Sequence, residues 1–274
     1  MKNLKDSRII ITGAAKGIGR ALAMELSAEG AELALWDIQE KELERTASDL
    51  REKGAAVYSH VCDITSPGQV SEAAGLTMNE MGGVDILINN AGTVKSGPFC
   101  SLPAGDWDQL TRVNLNSMYY TIQAVLPGMY ERNCGHIVNI SSGAGLVGMP
   151  DLAVYCATKW AVYGLTESLR MEALRDGKKG VRFTSVHPGI LRKGLFEGSR
   201  FNTFGEALIP RISSHEHIAR AIVRKGLKRK KSVVMKPWSL KLGPLMRGIM
   251  SDSWLNRIML VAGAGHTMDT WKGR

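Results

Sequence analysis

From Ser7 to Gly30 the chain reads SRIIITGAAKGIGRALAMELSAEG. Its opening, Ser7 to Thr12, is a short continuous β-branched run, the composition of a strand buried on both faces. Its close, Gly17 to Gly30, carries Ile18, Ala21, Leu22, Met24, Leu26 and Ala28 at mostly helical spacing and stops at a glycine suited to a left-handed C-cap. Between them lies Thr12-Gly13-Ala14-Ala15-Lys16-Gly17-Ile18-Gly19, a glycine turn running into a helix N-terminus, where main-chain amides can meet a pyrophosphate. In this reading Gly13 permits the tight turn, Gly17 removes a Cβ that would hold the phosphate off, and Gly19 lets the helix pack on the sheet. The spacing is G-x-x-x-G-x-G rather than the more familiar G-x-G-x-x-G.

Outward from this stretch the unit repeats. Strands are expected at Glu32 to Asp37, Ala55 to Cys62, Val84 to Asn89, His136 to Ser141 and Val181 to His187. Helices are expected at Gln39 to Lys53, Pro67 to Met81, about Asp106 to Arg132, and about Ala153 to Arg175. Such alternation, joined by right-handed crossovers, builds a parallel sheet with helices on both faces. The fold class expected is therefore α/β, a Rossmann-like doubly wound sheet, with Ser232 to Lys236 as a seventh strand after a helix at Ser214 to Lys225. All 274 residues are read as one domain, without internal repeat or linker. Within it, residues about 190–212 form an irregular lid or substrate segment, and residues about 238–274 an apolar C-terminal extension.

The bulk composition narrows the function classes. With 44% hydrophobic and 22% charged residues the chain has the make-up of a globular protein, not a disordered one. Residues 1–13 lack the apolar core and cleavage site of a secretory signal, and no apolar run reaches the roughly 18 residues of a membrane span. Cys62, Cys100, Cys134 and Cys156 are widely separated and form no C-x-x-C pair, which fits reduced thiols in a cytoplasmic location. The net charge of +9 favours anionic partners without choosing among them. Part of it lies in the run Arg224 to Lys231, read first as a solvated helix end.

Asp37 strengthens the dinucleotide reading. It ends the second strand, 18 residues after Gly19, where a carboxylate can accept hydrogen bonds from the adenosine ribose hydroxyls. Its charge would repel a 2′-phosphate and so favours NAD over NADP. Lys16 pulls the other way, and the carboxylate is given the greater weight.

Tyr155 and Lys159 stand four residues apart, so on a helix they project together. A phenol ordinarily titrates at about 10, and a neighbouring ammonium favours its ionised form, which suits an acid/base group. With Tyr155-Cys156-Ala157-Thr158-Lys159 the sequence resembles the short-chain dehydrogenase/reductase family, whose hallmark is Tyr-x-x-x-Lys after this kind of glycine loop. The resemblance runs from about Arg8 to Gly189. Seven motifs in order carry it: the glycine loop, Asp63, Asn89-Asn90-Ala91-Gly92, Asn114, Ser141-Ser142, Tyr155/Lys159 and Pro188-Gly189.

The resemblance implies a set of roles. The family serine lies 13 residues before the tyrosine, which selects Ser142 over Ser141 to hold the reacting oxygen. Tyr155 is implied as acid/base, Lys159 as its partner and a ligand of the nicotinamide ribose, and Asn114 as the residue positioning a proton-relay water. Gly13, Lys16, Gly17, Ile18, Gly19, Asp37, Asp63, Ile64, Asn90, Ala91, Gly92, Pro188, Gly189 and Ile190 are implied to contact the cofactor. Asn90 braces it, and Asp63 and Ile64 flank the adenine. The family also implies self-association as a homodimer or homotetramer.

The pattern departs at Lys193, where the family often has a threonine anchoring the nicotinamide carboxamide. Main-chain groups of Ile190 and Leu191 are the substitutes, and Arg192 and Lys193 are candidates for an anionic substrate group. Leu191, Leu195, Phe196, Phe201, Phe204, Leu208 and Ile209 suggest a hydrophobic small-molecule substrate of steroid, retinoid or fatty type. The tail, Trp238 to Met268, joins Trp238, Leu240, Leu242, Leu245, Met246, Ile249, Met250 and Trp254 to a preceding basic run and reads first as a subunit interface and second as a peripheral membrane contact. His215 and His217, two apart on a helix, point different ways, so no metal is expected, and no nucleic-acid partner either. The expected activity is NAD-dependent interconversion of an alcohol and its carbonyl. A catalytically idle dinucleotide-binding regulator is the rival, and a sensor would have no use for Ser142, Tyr155 and Lys159 together.

Overall fold

The computed structural model describes residues 4–273. In chain order the first half holds β1 (Arg8–Thr12), α1 (Gly17–Ser27), β2 (Glu32–Asp37), α2 (Glu40–Arg51), β3 (Val57–Val61), α3 (Pro67–Met81) and β4 (Ile86–Asn89). There follow α4 (Ala104–Thr111), α5 (Ser117–Glu131), β5 (Gly135–Ile140), α6 (Ala153–Arg175), β6 (Val181–Pro188), α7 (Thr203–Leu208), α8 (His215–Ala221) and β7 (Val233–Lys236). The strands form one sheet in the order β3-β2-β1-β4-β5-β6-β7, every neighbouring pair parallel. This is the doubly wound sheet that the alternation of apolar runs and helical periods implies. Strand order reverses between β1 and β4, and ligands of such sheets bind at that crevice, beyond the carboxyl ends of the strands.

The strands read as continuous apolar runs because both faces are covered. In β1, Ile9 and Ile11 enter the core beneath α1, α2 and α8, while Ile10 faces the opposite core beneath α3, α5 and α6. A buried polar ladder crosses the centre of the sheet. The Thr121 hydroxyl donates to Asn89 Oδ1 at 2.7 Å, Asn89 Nδ2 to Asn139 Oδ1 at 2.9 Å, and Asn139 Nδ2 to Thr166 Oγ1 at 3.0 Å. It ties α5 and α6 to β4 and β5 directly below the strand ends.

Three segments differ from the sequence expectation. The helix expected over residues 106–132 begins at Ala104 and is interrupted by a wide π turn at Arg112–Asn116, where the Ser117 N–H donates to the Arg112 carbonyl. The helix expected to end at Lys225 continues as a second π segment, Ile222–Lys228. Residues 190–212 are irregular at both ends but contain α7, capped by the Asn202 side chain accepting from the Gly205 N–H. Their two ends are pinned together, because Ile212 N–H donates to the Ile190 carbonyl and Arg192 N–H to the Ile212 carbonyl. The tail adds α9 (Leu242–Ile249) and α10 (Asp252–Val261). Among the described residues no helix is long and apolar enough to cross a membrane.

Candidate active site

The glycine loop bridges β1 and α1 at the point where strand order reverses. Gly13 and Gly17 have φ of +64° and +61°, left-handed values that side chains with a Cβ rarely adopt. A Cβ on Gly19 would run into the Gly13 carbonyl, and one on Gly13 would lie 2.8 Å from the Ala91 Cα. At Gly17 a Cβ would meet only the His215 ring, at 3.8 Å, so the absence of a side chain leaves an open cradle against the helix N-terminus. Lys16 and Ile18 belong to the same turn, with Lys16 Nζ donating to Gln39 Oε1 at 3.0 Å.

Two neighbouring strands hold this loop. Asp37, buried at the end of β2, accepts the Ala15 N–H at 2.9 Å and the Gln39 N–H at 3.0 Å. From the end of β4, Asn90 Nδ2 donates to the carbonyls of Thr12 and Gly13, both at 3.0 Å. The Thr12 hydroxyl oxygen in turn accepts the N–H groups of Asn90 and Ala91. Asp63 follows β3 and folds onto its own turn, accepting the Thr65 N–H at 2.9 Å, with Ile64 buried beside it. The cradle thus fits an anionic dinucleotide: open at Gly17, amide-rich, and edged by a carboxylate at the ribose end.

The second cluster is carried by α6, β5 and the π turn. Tyr155 and Lys159 lie on α6 and are both buried, with Lys159 Nζ 5.7 Å from the centre of the Tyr155 ring. Lys159 Nζ donates to the Ile140 carbonyl at 3.1 Å, and a Cβ on Gly92 would come within 3.5 Å of it. Asn114, in the π turn, accepts the Thr93 N–H at 2.8 Å and donates to the Thr93 carbonyl at 3.0 Å. Its amide also reaches Thr158 Oγ1 at 3.3 Å, on the turn of α6 between Tyr155 and Lys159. The adjacent serines diverge. Ser141 Oγ donates to the Lys159 carbonyl at 2.7 Å, whereas Ser142 Oγ accepts the Ala144 N–H at 3.2 Å, lies beside Tyr155 and lines the neighbouring cleft.

Burial dominates the titration of this pair. It raises the Tyr155 phenol above its ordinary value, a shift that the nearby Ser142 hydroxyl opposes, and it pushes the Lys159 amine down to about 8. The expected lowering of the phenol by the ammonium is therefore not what the polypeptide alone produces. Desolvation of both groups is the larger effect.

Pro188 and Gly189 close the far side, with Gly189 N–H donating to the Lys236 carbonyl at 2.7 Å. Together with Ile190 they border an apolar cleft whose walls include Ser142, Met149, Leu152, Phe196, Phe201 and Met259. Phe196 meets the Tyr155 ring edge-on at 5.4 Å.

Residues 7–200 match the family model described as short chain dehydrogenase. The chain belongs to the short-chain dehydrogenase/reductase family. It is an oxidoreductase of CH–OH groups. It is similar to short-chain dehydrogenase/reductase family 16C member 6 of Bos taurus, 37% identical over 87% of this chain and 75% of the relative. It is 38% identical to epidermal retinol dehydrogenase 2 of Mus musculus, over 81% of this chain and 71% of that one. Estradiol 17-beta-dehydrogenase 11 of Mus musculus is 31% identical over 93% and 83% of the two chains. Among solved structures, a family member from Burkholderia phymatum in complex with NAD superposes with a TM-score of 0.82 at 26% identity, covering 93% of this chain and 97% of that one.

Against the family pattern, this dehydrogenase/reductase carries an exposed Lys193, next to an exposed Arg192, where a threonine is usual. Neither lines the apolar cleft. Lys193 instead lies near His215, whose pKa burial lowers, with Lys193 lowering it further and Glu216 opposing. The His215 ring fills the space over Gly194, where a Cβ would come within 2.8 Å of Nε2, and faces Gly17 across the loop. His217 points elsewhere, to the hydroxyls of Ser213 and Ser214. Among the described residues no cluster of three His, Cys, Asp or Glu is placed to hold a metal ion.

Four contributors escape sequence reasoning: Thr12, Thr93, His187 and His215. His187 is held neutral, its pKa pushed down to about 4 by burial, and its Nδ1–H donates to the Ser142 carbonyl at 3.0 Å. It fixes the main chain of the cleft serine from β6. Thr12 alone carried a signal, its position at the strand end immediately before the glycine loop.

Proposed function

We propose that this chain is an NAD-dependent dehydrogenase or reductase that interconverts a hydrophobic primary or secondary alcohol and its carbonyl. One observation carries the reading. Ser142, on the wall of an apolar cleft, lies beside Tyr155, which shares a buried helix face with Lys159 beside a cradle suited to a dinucleotide. The bound nicotinamide supplies the hydride acceptor or donor. In oxidation Tyr155 Oη takes the hydroxyl proton while Ser142 Oγ donates to the same substrate oxygen and orients it. In reduction Tyr155 returns the proton. Lys159, as the ammonium, stabilises the phenolate and holds the nicotinamide ribose. The Asn114 side chain is committed to Thr93, so its part in proton exit falls to the main chain of the π turn.

Gly13, Lys16, Gly17, Ile18 and Gly19 cradle the pyrophosphate, Asp37 selects the ribose hydroxyls of NAD against a 2′-phosphate, and Asp63 with Ile64 flanks the adenine. Asn90, Ala91, Gly92, Pro188, Gly189 and Ile190 line the path to the nicotinamide. Residues 190–212 serve as the lid within a single domain. The relatives named for retinol and estradiol support a bulky apolar alcohol, as do the cleft residues Phe196, Phe201 and Met259. Exposed Trp107, Tyr119 and Met171 on α4 to α6 support homo-oligomerisation.

Reduction of NAD or NADP with a panel of fatty, retinoid and steroid alcohols, followed by nicotinamide fluorescence, tests the reading. Tyr155→Phe is expected to retain dinucleotide affinity and lose turnover by roughly 10²–10⁴-fold, the usual worth of a positioned acid/base. Near-normal turnover in that variant overturns the assignment.

A further inference from the structure

The segment after β7 presents two sides of opposite use. Its inner side closes the cleft through Leu240, Met259 and Met268. It is fixed there by Arg247, whose guanidinium lies 4.7 Å from the Trp160 ring centre and donates to the Leu146 carbonyl at 3.1 Å. Its outer side is different. None of the residues of α9 is buried, and Trp238, Leu242, Leu245 and Ile249, spaced by four, three and four, expose 68%, 36%, 61% and 75% of their surface. A stripe of that size contributes nothing to the core, and in water it is a liability unless something covers it.

Charge identifies what covers it. The last 51 residues hold twelve Lys and Arg against two Asp, enough to account for the whole net charge of the chain. In space cations gather around Lys225: the Lys231 N–H donates to its carbonyl at 3.0 Å, and Lys236, Lys231, Lys241 and Arg229 are each near enough to make its protonation harder. Lys236 and Lys241 flank Trp238 in sequence, which places the cluster against the start of the apolar stripe.

We propose that this face docks on an anionic lipid surface, with Trp238, Leu242, Leu245 and Ile249 entering the interfacial layer and the Lys/Arg cluster meeting the headgroup phosphates. The pattern of an amphipathic helix, a tryptophan at its edge and a basic flank is what binds a bilayer from one side without crossing it. A second copy of this chain fits less well. A second copy of this segment would offer the basic cluster few acidic partners, since residues 224–274 hold twelve Lys and Arg against two Asp. The sequence suggests subunit contact through this tail first, and the charge of its surroundings favours the lipid surface. The proposal is independent of the reaction assigned above.

The test uses the full chain and sucrose-loaded vesicles of phosphatidylcholine with and without phosphatidylserine. Sedimentation with the anionic vesicles is expected, weakened by salt. The double variant Leu245→Asp/Ile249→Asp and the double variant Lys236→Ala/Lys241→Ala should each bind at least about tenfold more weakly. Because these side chains are exposed or half-buried at the surface, circular dichroism melting should leave both variants as stable as the parent. Three results overturn the proposal: parent protein left in the supernatant at low salt, binding unaffected by either double variant, or an oligomer in sedimentation equilibrium that Leu245→Asp/Ile249→Asp dissociates.

Discussion

Both oxygens of Asp37 accept main-chain N–H groups, one from the glycine loop and one from the turn after β2. A single carboxylate therefore shapes the loop and sets the charge that a ribose would meet. Asp37→Ser should weaken NAD binding and raise the NADP-to-NAD ratio of kcat/KM by about tenfold or more, since the repelling charge is gone. Steady-state kinetics with both cofactors measures it, and an unchanged ratio removes Asp37 from cofactor choice. Residues of this kind were legible because each holds a fixed place in the alternation of strand, turn and helix, Asp37 at the end of a strand and Ser142 just beyond one. Counting back 13 positions from Tyr155 separated Ser142 from Ser141, and the structure gives the two hydroxyls different partners. His215 was not legible, because the glycines it packs against, Gly17 and Gly194, come from distant parts of the chain. His187 likewise acts on Ser142 across the sheet, a contact for which no local pattern exists.

Helices and strands were legible wherever apolar spacing repeats, so α3 and α6 begin and end where the periodicity places them. The π turn at Arg112–Asn116 was not, since one extra residue barely disturbs a 3.6-residue pattern. Nor was the pairing of Leu191 with Ile212, an isolated bridge without the alternation of a strand. The glycines of the loop act at this scale too. Gly19→Ala would force the first turn of α1 away from the Gly13 carbonyl, and dinucleotide affinity should fall at least about tenfold, as titration calorimetry would read. The polar ladder beneath the site makes a separate prediction. Asn139→Leu leaves the buried Asn89 Nδ2 without an acceptor, while Thr166 keeps its bond to the Val162 carbonyl, and should cost about 1–3 kcal/mol in urea denaturation. A loss under about 1 kcal/mol would mean the ladder rearranges.

For the molecule as a whole, acid is the weak side. Burial holds His136 down to about 3 and His187 down to about 4, against roughly 6.5 for a free imidazole. Between those limits the unfolded chain binds protons that the folded chain refuses. Stability therefore rises with pH across the window and falls as pH drops from about 6.5 towards 4. His136→Gln should flatten the slope of unfolding free energy against pH near 5 by up to about 1.4 kcal/mol per pH unit, one proton's worth. The uneven spread of charge has an electrical consequence of its own. Residues 1–223 carry 23 basic and 24 acidic side chains, so they are almost neutral, while the remaining residues are strongly cationic. Charge this uneven along the chain should make the cationic part the first to meet a negatively charged matrix such as an ion-exchange resin. Its retention on a cation exchanger would report on that one end, so that neutralising Lys236 and Lys241 should advance elution far more than neutralising two lysines elsewhere.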